Sequence, residues 1–211
     1  MARKGWAASK WWMEAAGLLA GAAFFTGLAV CPDGWTAHAH TLSLLHHMSR
    51  EMAHGRFTGV LPGGDNGISE AALEPGDVLF CHNPDGAYGY WTHVVIYAGG
   101  GQCVDAFDFV HGTVLRPLTS YRAYHTVAAF RARESPGWRR QLAQAALAEV
   151  GRPYDPFGAL TDRRSEYCSK LVWRLFHDRG VDLCPAYPWV LPDDLAASPA
   201  WIHVGTWGVR P

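Results

Sequence analysis

The sequence predicts an α+β domain behind an N-terminal appendage, because strand-like runs fill one block of the chain and helical patterns fill the next. The strand-like runs are rich in β-branched and aromatic residues and are separated by turn residues. They are residues 77–81, 91–98, 102–107, 113–118 and 125–131. After Pro136 the apolar spacing becomes helical. We therefore expect an antiparallel β-sheet packed against helices.

Two helices follow the predicted sheet, and each shows an apolar stripe. In the first, Trp138, Leu142 and Val150 share one face, and a Gly and a Pro end the pattern. The second begins near Glu166 and closes near Gly180. The tail after this helix is rich in Pro and Trp and shows little periodicity, so we expect its tryptophans to complete the core rather than to cover a cleft.

The composition fits a folded globule without a nucleic-acid partner. Hydrophobic residues make up 49% of the chain, enough to bury a sizeable core. The formal net charge of −1 provides no basic footprint for a polyanion. The five cysteines form no CxxC pair, so neither a zinc knuckle nor a dense disulfide framework is indicated.

Residues 1–39 have the character of a targeting segment. Three basic residues precede a charge-free stretch over residues 15–31, and residues 37–39 have the small-x-small form of a cleavage site. We expect export, either as a periplasmic protein after cleavage or as a protein that stays anchored in the membrane through residues 11–31. The remainder divides into a helix and linker over residues 40–67 and a catalytic domain over residues 68–211.

Cys168 stands at the start of the second predicted helix, where a thiol is most easily activated. Ser165 is a plausible N-cap, which would put Cys168 in the first turn. The unpaired amides and the dipole of that turn favour a thiolate. Extending the apolar stripe of the helix backward also reaches Cys168, so we expect its sulfur to face the domain.

His93 and Asp105 are predicted to form a pair on neighbouring strands. His93 lies in an apolar run typical of a covered strand, where an imidazole needs a polar partner. Both positions are odd, so a hairpin loop of odd length places the two side chains on one face, and a turn centred on Gly99 would set them directly opposite. An aspartate on one ring nitrogen would leave the other to take a proton from a thiol.

Six ordered motifs resemble those of the circularly permuted NlpC hydrolases, which are papain-like, and especially their YiiX-like branch. They are residues 75–80 (PGDVLF), 92–97 (THVVIY), 104–106 (VDA), 151–155 (GRPYD), 167–172 (YCSKLV) and 192–195 (PDDL). The likeness covers roughly residues 70–205. Here the histidine precedes the cysteine, as in permuted members of the family.

The resemblance implies a papain-like cysteine peptidase or amidase with Cys168 as nucleophile, His93 as base and Asp105 as the orienting residue. Tyr154 matches the tyrosine that helps hold the substrate carbonyl or its oxyanion. The chemistry would pass through a thioester and need neither a metal nor an organic cofactor. The expected substrate is a peptide or other amide of the cell envelope, with an ester also possible chemically.

Several alternatives stay open on the sequence alone. YiiX-like members tend to carry glutamate where this chain has Asp105, so Asp108 and His111 are weaker candidates for the orienting role. An acyl-lipid substrate would make the chain a lipid acyltransferase or thioesterase like the lecithin-retinol-acyltransferase-like relatives, although those use a second histidine at that place. A catalytically silent module that binds peptides or lipids is the third possibility.

Overall fold

The computed structural model describes residues 49–50, 58–185 and 189–208. The predicted targeting segment and nearly all of the predicted helix over residues 41–56 therefore lie outside the described residues. Within the described ranges, no helix has the length and apolar character needed to cross a membrane.

Six antiparallel strands form one sheet in the order β4-β3-β2-β1-β5-β6. Their bounds are β1 Val78–His82, β2 His93–Gly99, β3 Gln102–Asp108, β4 Gly112–Pro117, β5 Thr126–Ala132 and β6 Trp201–Gly208. The first five confirm the sequence prediction to within two residues at each end. The sixth lies in the tail and was not predicted, because its exposed and half-buried positions do not alternate as those of a one-sided strand do.

Between residues 58 and 208, three α-helices and two 3₁₀ helices of the described chain accompany the sheet. The α-helices are α1 Pro136–Leu147, α2 Cys168–His177 and α3 Pro192–Ala196, and the 3₁₀ helices are Glu70–Ala72 and Leu118–Ala123. Ser135 caps α1 by accepting from the Trp138 N–H, and Pro136 occupies the first helical position, where its missing donor costs nothing. This arrangement is the α+β fold that the sequence predicted, with α3 as an unpredicted addition.

The sheet carries a core on each face. On one face Phe80, Val94 and Ile96 pack against α1 and α2. On the other, Leu79 and Val95 pack beneath the 3₁₀ helix Leu118–Ala123. The alternation along β1 and β2 explains their continuous apolar sequence, because a strand covered on both faces has no polar side.

Trp201, the first residue of β6, joins the tail to the first core. Its ring lies 5.1 Å from that of Phe176 and 6.1 Å from that of Phe80, and its indole N–H donates to the Leu195 carbonyl at 2.7 Å. The prediction that the tail tryptophans complete the core is confirmed for Trp201, which is buried.

Replacing Trp201 by Ala should lower the free energy of unfolding by about 3–5 kcal/mol, because it leaves a cavity and an unpaired carbonyl. Urea unfolding measures this. The neighbouring Ile202→Ala, at a side chain that is 44% exposed, should cost about 0.5 kcal/mol or less. Equal losses in the two variants would show that β6 is not part of the core.

Candidate active site

Cys168 is the first residue of α2 and is buried, with 7% of its surface exposed. The predicted N-cap is wrong: Tyr167 takes that position with an extended backbone, and the Ser165 hydroxyl is buried without a hydrogen-bond partner. A chain that passes in extended form through residue 167 starts the helix two residues later than a Ser165 cap would. Cys168 consequently lies even closer to the free amides of the helix start.

His93 is the first residue of β2, so it lies at the end of the sheet. Its ring is buried and stacks nearly parallel on Tyr124, with the ring centroids 6.2 Å apart. Nε2 contacts Asp105 Oδ1 at 2.8 Å, and Cys168 lies near enough to the ring to raise the pKa of His93. Because Asp105 uses Nε2, Nδ1 is the ring nitrogen that remains for the thiol.

The β2–β3 hairpin brings His93 and Asp105 together diagonally. Ile96 pairs with Val104 and Tyr97 with Cys103, so the register is centred one residue beyond Gly99. The turn itself lies further along the chain, over Gly100 and Gly101 between the paired Gly99 and Gln102, and an irregularity between Tyr97 and Gly99 moves the centre back only to residue 100. Extending this register puts Asp105 opposite Val95. The two side chains still share one face, as their odd positions require.

Asp105 is completely buried, and three side chains satisfy its carboxylate. Besides His93, the Tyr121 hydroxyl donates to Oδ2 at 2.8 Å and Arg116 Nη1 donates to Oδ2 at 2.9 Å. A buried carboxylate without such donors would be strongly unfavourable. The Arg116 guanidinium is itself held over the Phe107 ring, 3.8 Å from its centroid.

These contacts move the pKa values of the pair in opposite directions. Burial by itself lowers the pKa of His93, but the charges of Asp105 and Cys168 outweigh it and raise the pKa from 6.5 to about 10. Burial raises the pKa of Asp105, yet the charge of His93 and the three hydrogen bonds hold it below 3.8. The arrangement therefore favours an imidazolium and a carboxylate at neutral pH.

Two tyrosines lie near the thiol. Tyr154, which the sequence singled out, forms an isolated bridge with Glu166, and its pKa is raised by burial and then by Cys168 and Tyr88. Tyr88, in the loop between β1 and β2, has a pKa raised by burial and by Cys168. In the described ranges neither phenol has a hydrogen-bond partner, so both can donate to a ligand.

The other two candidates for the orienting residue lie apart from the histidine. Asp108 accepts hydrogen bonds from His111 and Val110 in the turn between β3 and β4. Asp108 is half-buried and His111 is exposed, and their side chains pair with each other. The structure brings Asp105, and neither of these two, to the ring of His93.

The segment between residues 190 and 194 ties the two halves of the site together. Close to Cys168, Ser169 Oγ donates to the Val190 carbonyl at 2.7 Å and the Val190 N–H donates to the Tyr167 hydroxyl at 3.3 Å. On the other side of the site, Asp193 accepts a hydrogen bond at 2.8 Å from the N–H of Trp91, which lies two residues before His93. This segment therefore bonds both the chain that carries the thiol and the chain that leads to the imidazole.

Asp193 makes a second bond to the same loop. Its Oδ2 accepts from the Tyr90 N–H at 2.8 Å, and Gly89, with φ +115°, passes so near that a Cβ there would lie 2.2 Å from this oxygen. Asp194 has a different task, because it accepts from the Leu191 N–H and caps α3. Of the two aspartates of the PDDL motif, Asp193 therefore holds the loop before His93 and Asp194 caps α3.

Sequence reasoning missed most residues that surround the thiol and the imidazole, namely Tyr88, Arg116, Tyr121, Tyr124, Tyr167 and Asp193. The local pattern does not pair Tyr121 with Tyr124, since Tyr121 lies in the 3₁₀ helix and Tyr124 is its extended C-cap. A buried aspartate calls for a cation, which Arg116 supplies. The contact of Asp193 spans 102 residues of sequence, and no local pattern indicates it.

A buried thiol at a helix start, beside a histidine that an aspartate holds on an antiparallel sheet, is the arrangement of a papain-like cysteine hydrolase. The family of the permuted papain-like amidase enzymes (YaeF/YiiX, C92 family) matches residues 72–205. The chain belongs to this family, which makes it a cysteine amidase or peptidase of permuted papain-like fold.

A solved structure supports the fold. The chain is similar to the crystal structure of the metalloprotein yiiX from Escherichia coli O157:H7, with a TM-score of 0.55 and 17% sequence identity. The match covers 66% of this chain and 99% of that one. A search of curated proteins found no significant match.

Asp193→Asn should slow the alkylation of Cys168 by iodoacetamide at pH 7 by about 10-fold, because an amide nitrogen facing a backbone N–H releases the loop before His93 and shifts the imidazole. Labelling is measured on the Cys168 peptide by mass spectrometry.

Asp194→Asn is the matched control. It should cost a similar free energy of unfolding, about 1 kcal/mol, through a weaker helix cap, but leave the alkylation rate and its pH profile unchanged. Equal slowing in the two variants would show that Asp193 acts on stability alone.

The raised pKa of His93 predicts how its contribution to stability depends on pH. A group whose pKa rises on folding contributes fully below its unfolded value of 6.5 and loses that contribution as the pH rises through about 10. The free energy of unfolding of the native protein, relative to His93→Gln, should therefore fall between these limits. Urea titrations at pH 6, 8 and 10 test this, and a difference that is constant with pH would contradict a raised pKa.

Proposed function

We propose that this chain hydrolyses an amide bond of a peptide substrate through Cys168, His93 and Asp105. The observation that carries the proposal is a His93 ring that contacts Asp105 at 2.8 Å and whose pKa is raised by the nearby Cys168 at the start of α2. Each member has the environment that its role requires: a free helix start for the thiol, a buried ring for the base and three donors for the carboxylate.

The reaction would begin with attack of Cys168 Sγ on the carbonyl carbon. The negative charge that develops on the carbonyl oxygen would be met by the Cys168 N–H, which has no intrahelical partner at the first helical position, and by a phenol of Tyr154 or Tyr88. His93, held as imidazolium beside Asp105, would donate its Nδ1 proton to the leaving amine as the C–N bond breaks.

The second half returns the protein to its starting state. His93, now neutral, would take a proton from water while the water oxygen attacks the thioester carbonyl. The C–S bond breaks, the acid product leaves, the sulfur is free again and His93 carries its proton as at the start. Asp105 keeps the imidazole in one orientation throughout, because Nε2 is committed to it.

The mechanism uses only side chains of the chain. The yiiX relative is titled a metalloprotein. Among residues 49–50, 58–185 and 189–208, however, no group of three or more His, Cys, Asp or Glu side chains is arranged to hold a metal ion. The residues at the thiol fit acid–base catalysis.

An amide substrate agrees better with the site than an acyl lipid does. The lipid acyltransferase alternative calls for a second histidine at the orienting position, where Asp105 lies. The membership in an amidase family points in the same direction. The targeting character of residues 1–39 supports an extracytoplasmic peptide as the source of the amide, with residues 11–31 as a possible anchor.

Incubation with p-nitrophenyl acetate tests the proposal without knowledge of the natural substrate. The native protein should release a burst of p-nitrophenol equal to its concentration and carry an acetyl group on the Cys168 peptide. Cys168→Ala should give no burst, and His93→Ala should lower the acylation rate by about 100-fold or more.

Asp105→Asn and Asp108→Asn form the decisive pair, because the two aspartates are three residues apart and only one contacts His93. The first should lower the acylation rate by about 100-fold and the second should leave it unchanged. An acetyl group on a residue other than Cys168, or equal loss in both aspartate variants, would overturn the proposed triad.

A further inference from the structure

The hairpin that joins β3 to β4 exposes two apolar side chains at its tip. Phe109 is 65% exposed and Val110 is 85% exposed, the highest values for large apolar residues in the described part of the chain. Single exposed apolar residues are ordinary at a protein surface. Two adjacent exposed apolar residues on a fixed turn are less common, and contiguous apolar surface of this kind marks binding sites.

Hydrogen bonds fix the turn that carries this pair. Asp108 Oδ1 accepts from the Val110 N–H at 2.9 Å and from the His111 N–H at 2.8 Å. Gly112, at φ +69°, lies so near the Arg152 carbonyl that a Cβ there would be 2.4 Å from the oxygen. The tip is therefore held in place before a ligand arrives, which reduces the entropy lost on binding.

The pair is continuous with the catalytic site. The Phe109 ring packs edge-on against that of Tyr154, with the ring centroids 5.2 Å apart. Tyr154 in turn bridges to Glu166, two residues before Cys168, and its pKa responds to the thiol. A substrate whose carbonyl lies at Cys168 and Tyr154 thus has an apolar surface beside it.

We propose that Phe109, Val110 and the Tyr154 ring form an apolar wall that binds an apolar side chain of the peptide substrate next to the scissile amide. The inference rests on the proposed function, because it needs a substrate carbonyl at Cys168. It adds the substrate class: peptides with an apolar residue beside the cleaved bond.

The size and surroundings of the wall suit one side chain rather than a long acyl chain. The hydrogen-bonded side chains of Asp108 and His111 lie in the turn under the tip, and the polar residues Arg152 and Asp155 lie close to Tyr154 along the chain. A peptide presents an apolar group between polar backbone groups, which matches this alternation. A lipid chain would have to cross the charged groups and desolvate them.

The test compares alkylating probes that differ only in the side chain. N-iodoacetyl-leucinamide and N-iodoacetyl-asparaginamide have side chains of nearly the same shape and opposite polarity. After division by their rates with glutathione, the leucine probe should alkylate Cys168 about 10-fold faster, near the lower limit for burying a leucine side chain. In Phe109→Ser/Val110→Ser the ratio should fall to about 1.

Ile202→Ser is the matched control, since Ile202 is an exposed apolar residue on β6, at the opposite edge of the sheet from β4. It should keep the native ratio. Dividing the rate of each probe by the rate of plain iodoacetamide with the same protein removes any change in the thiol itself, because iodoacetamide has no side chain that could contact the wall. Failure of the proposed function would appear separately, as iodoacetamide labelling that is slow and independent of His93, while the leucine-to-asparagine ratio still reports on the wall.

Three results would overturn the inference. One is a native ratio near 1. Another is a preference for N-octyl iodoacetamide over the leucine probe that the double variant loses, which would identify a lipid acyl chain as the occupant. The third is sedimentation with phosphatidylglycerol vesicles that depends on Phe109 and Val110 without any leucine preference, which would make the tip a membrane contact.

Discussion

The buried carboxylate of Asp105 is the interaction on which the arrangement of the site depends. A fully buried charge must be met by donors, and its three donors come from three elements: His93 of β2, Arg116 of β4 and Tyr121 of the 3₁₀ helix. The donors to this one carboxylate therefore fix the positions of the His93 imidazole, of the edge strand β4 and of the 3₁₀ helix that covers the second core. The imidazole keeps one ring nitrogen for Asp105 and turns the other toward Cys168. The hydrogen bonds to Asp105 therefore both stabilise the fold and orient the His93 imidazole.

The tail fixes the position of α2 relative to the sheet, which their apolar packing alone does not fix. A helix that packs on a sheet through apolar side chains can slide by fractions of an ångström, and proton transfer depends strongly on such distances. Hydrogen bonds of Val190 with residues 167 and 169, and the two that Asp193 accepts from the N–H groups of residues 90 and 91, connect the two sides directly. Trp201 anchors the same tail in the core. The apolar tip at Phe109 and Val110 lies at the end of the hairpin whose strands carry Asp105 and Arg116.

Local pattern was sufficient for the five central strands, for α1 and for the pairing of His93 with Asp105, because pleating and helical period depend on neighbouring residues. It failed where a contact between distant residues decides the structure. The β2–β3 turn closes over Gly100 and Gly101 rather than at Gly99, and the extended Tyr167 takes the N-cap position that was predicted for Ser165. The sequence did not predict β6, because its residues do not alternate between buried and exposed positions and its pairing with β5 makes it a strand. Resemblance to a family placed the PDDL motif in the sequence, but only the structure shows that Asp193 holds the loop before His93.

The protonation state of His93 at neutral pH tests the central claim most directly, and ¹⁵N chemical shifts of the imidazole in histidine-labelled protein measure it. The account predicts two protonated ring nitrogens at pH 7, with deprotonation near pH 10, and a lower midpoint in Cys168→Ala, where Cys168 no longer contributes to the shift. A neutral ring at pH 7, titrating near the ordinary value of 6.5 in both proteins, would contradict an activated pair of thiol and imidazole.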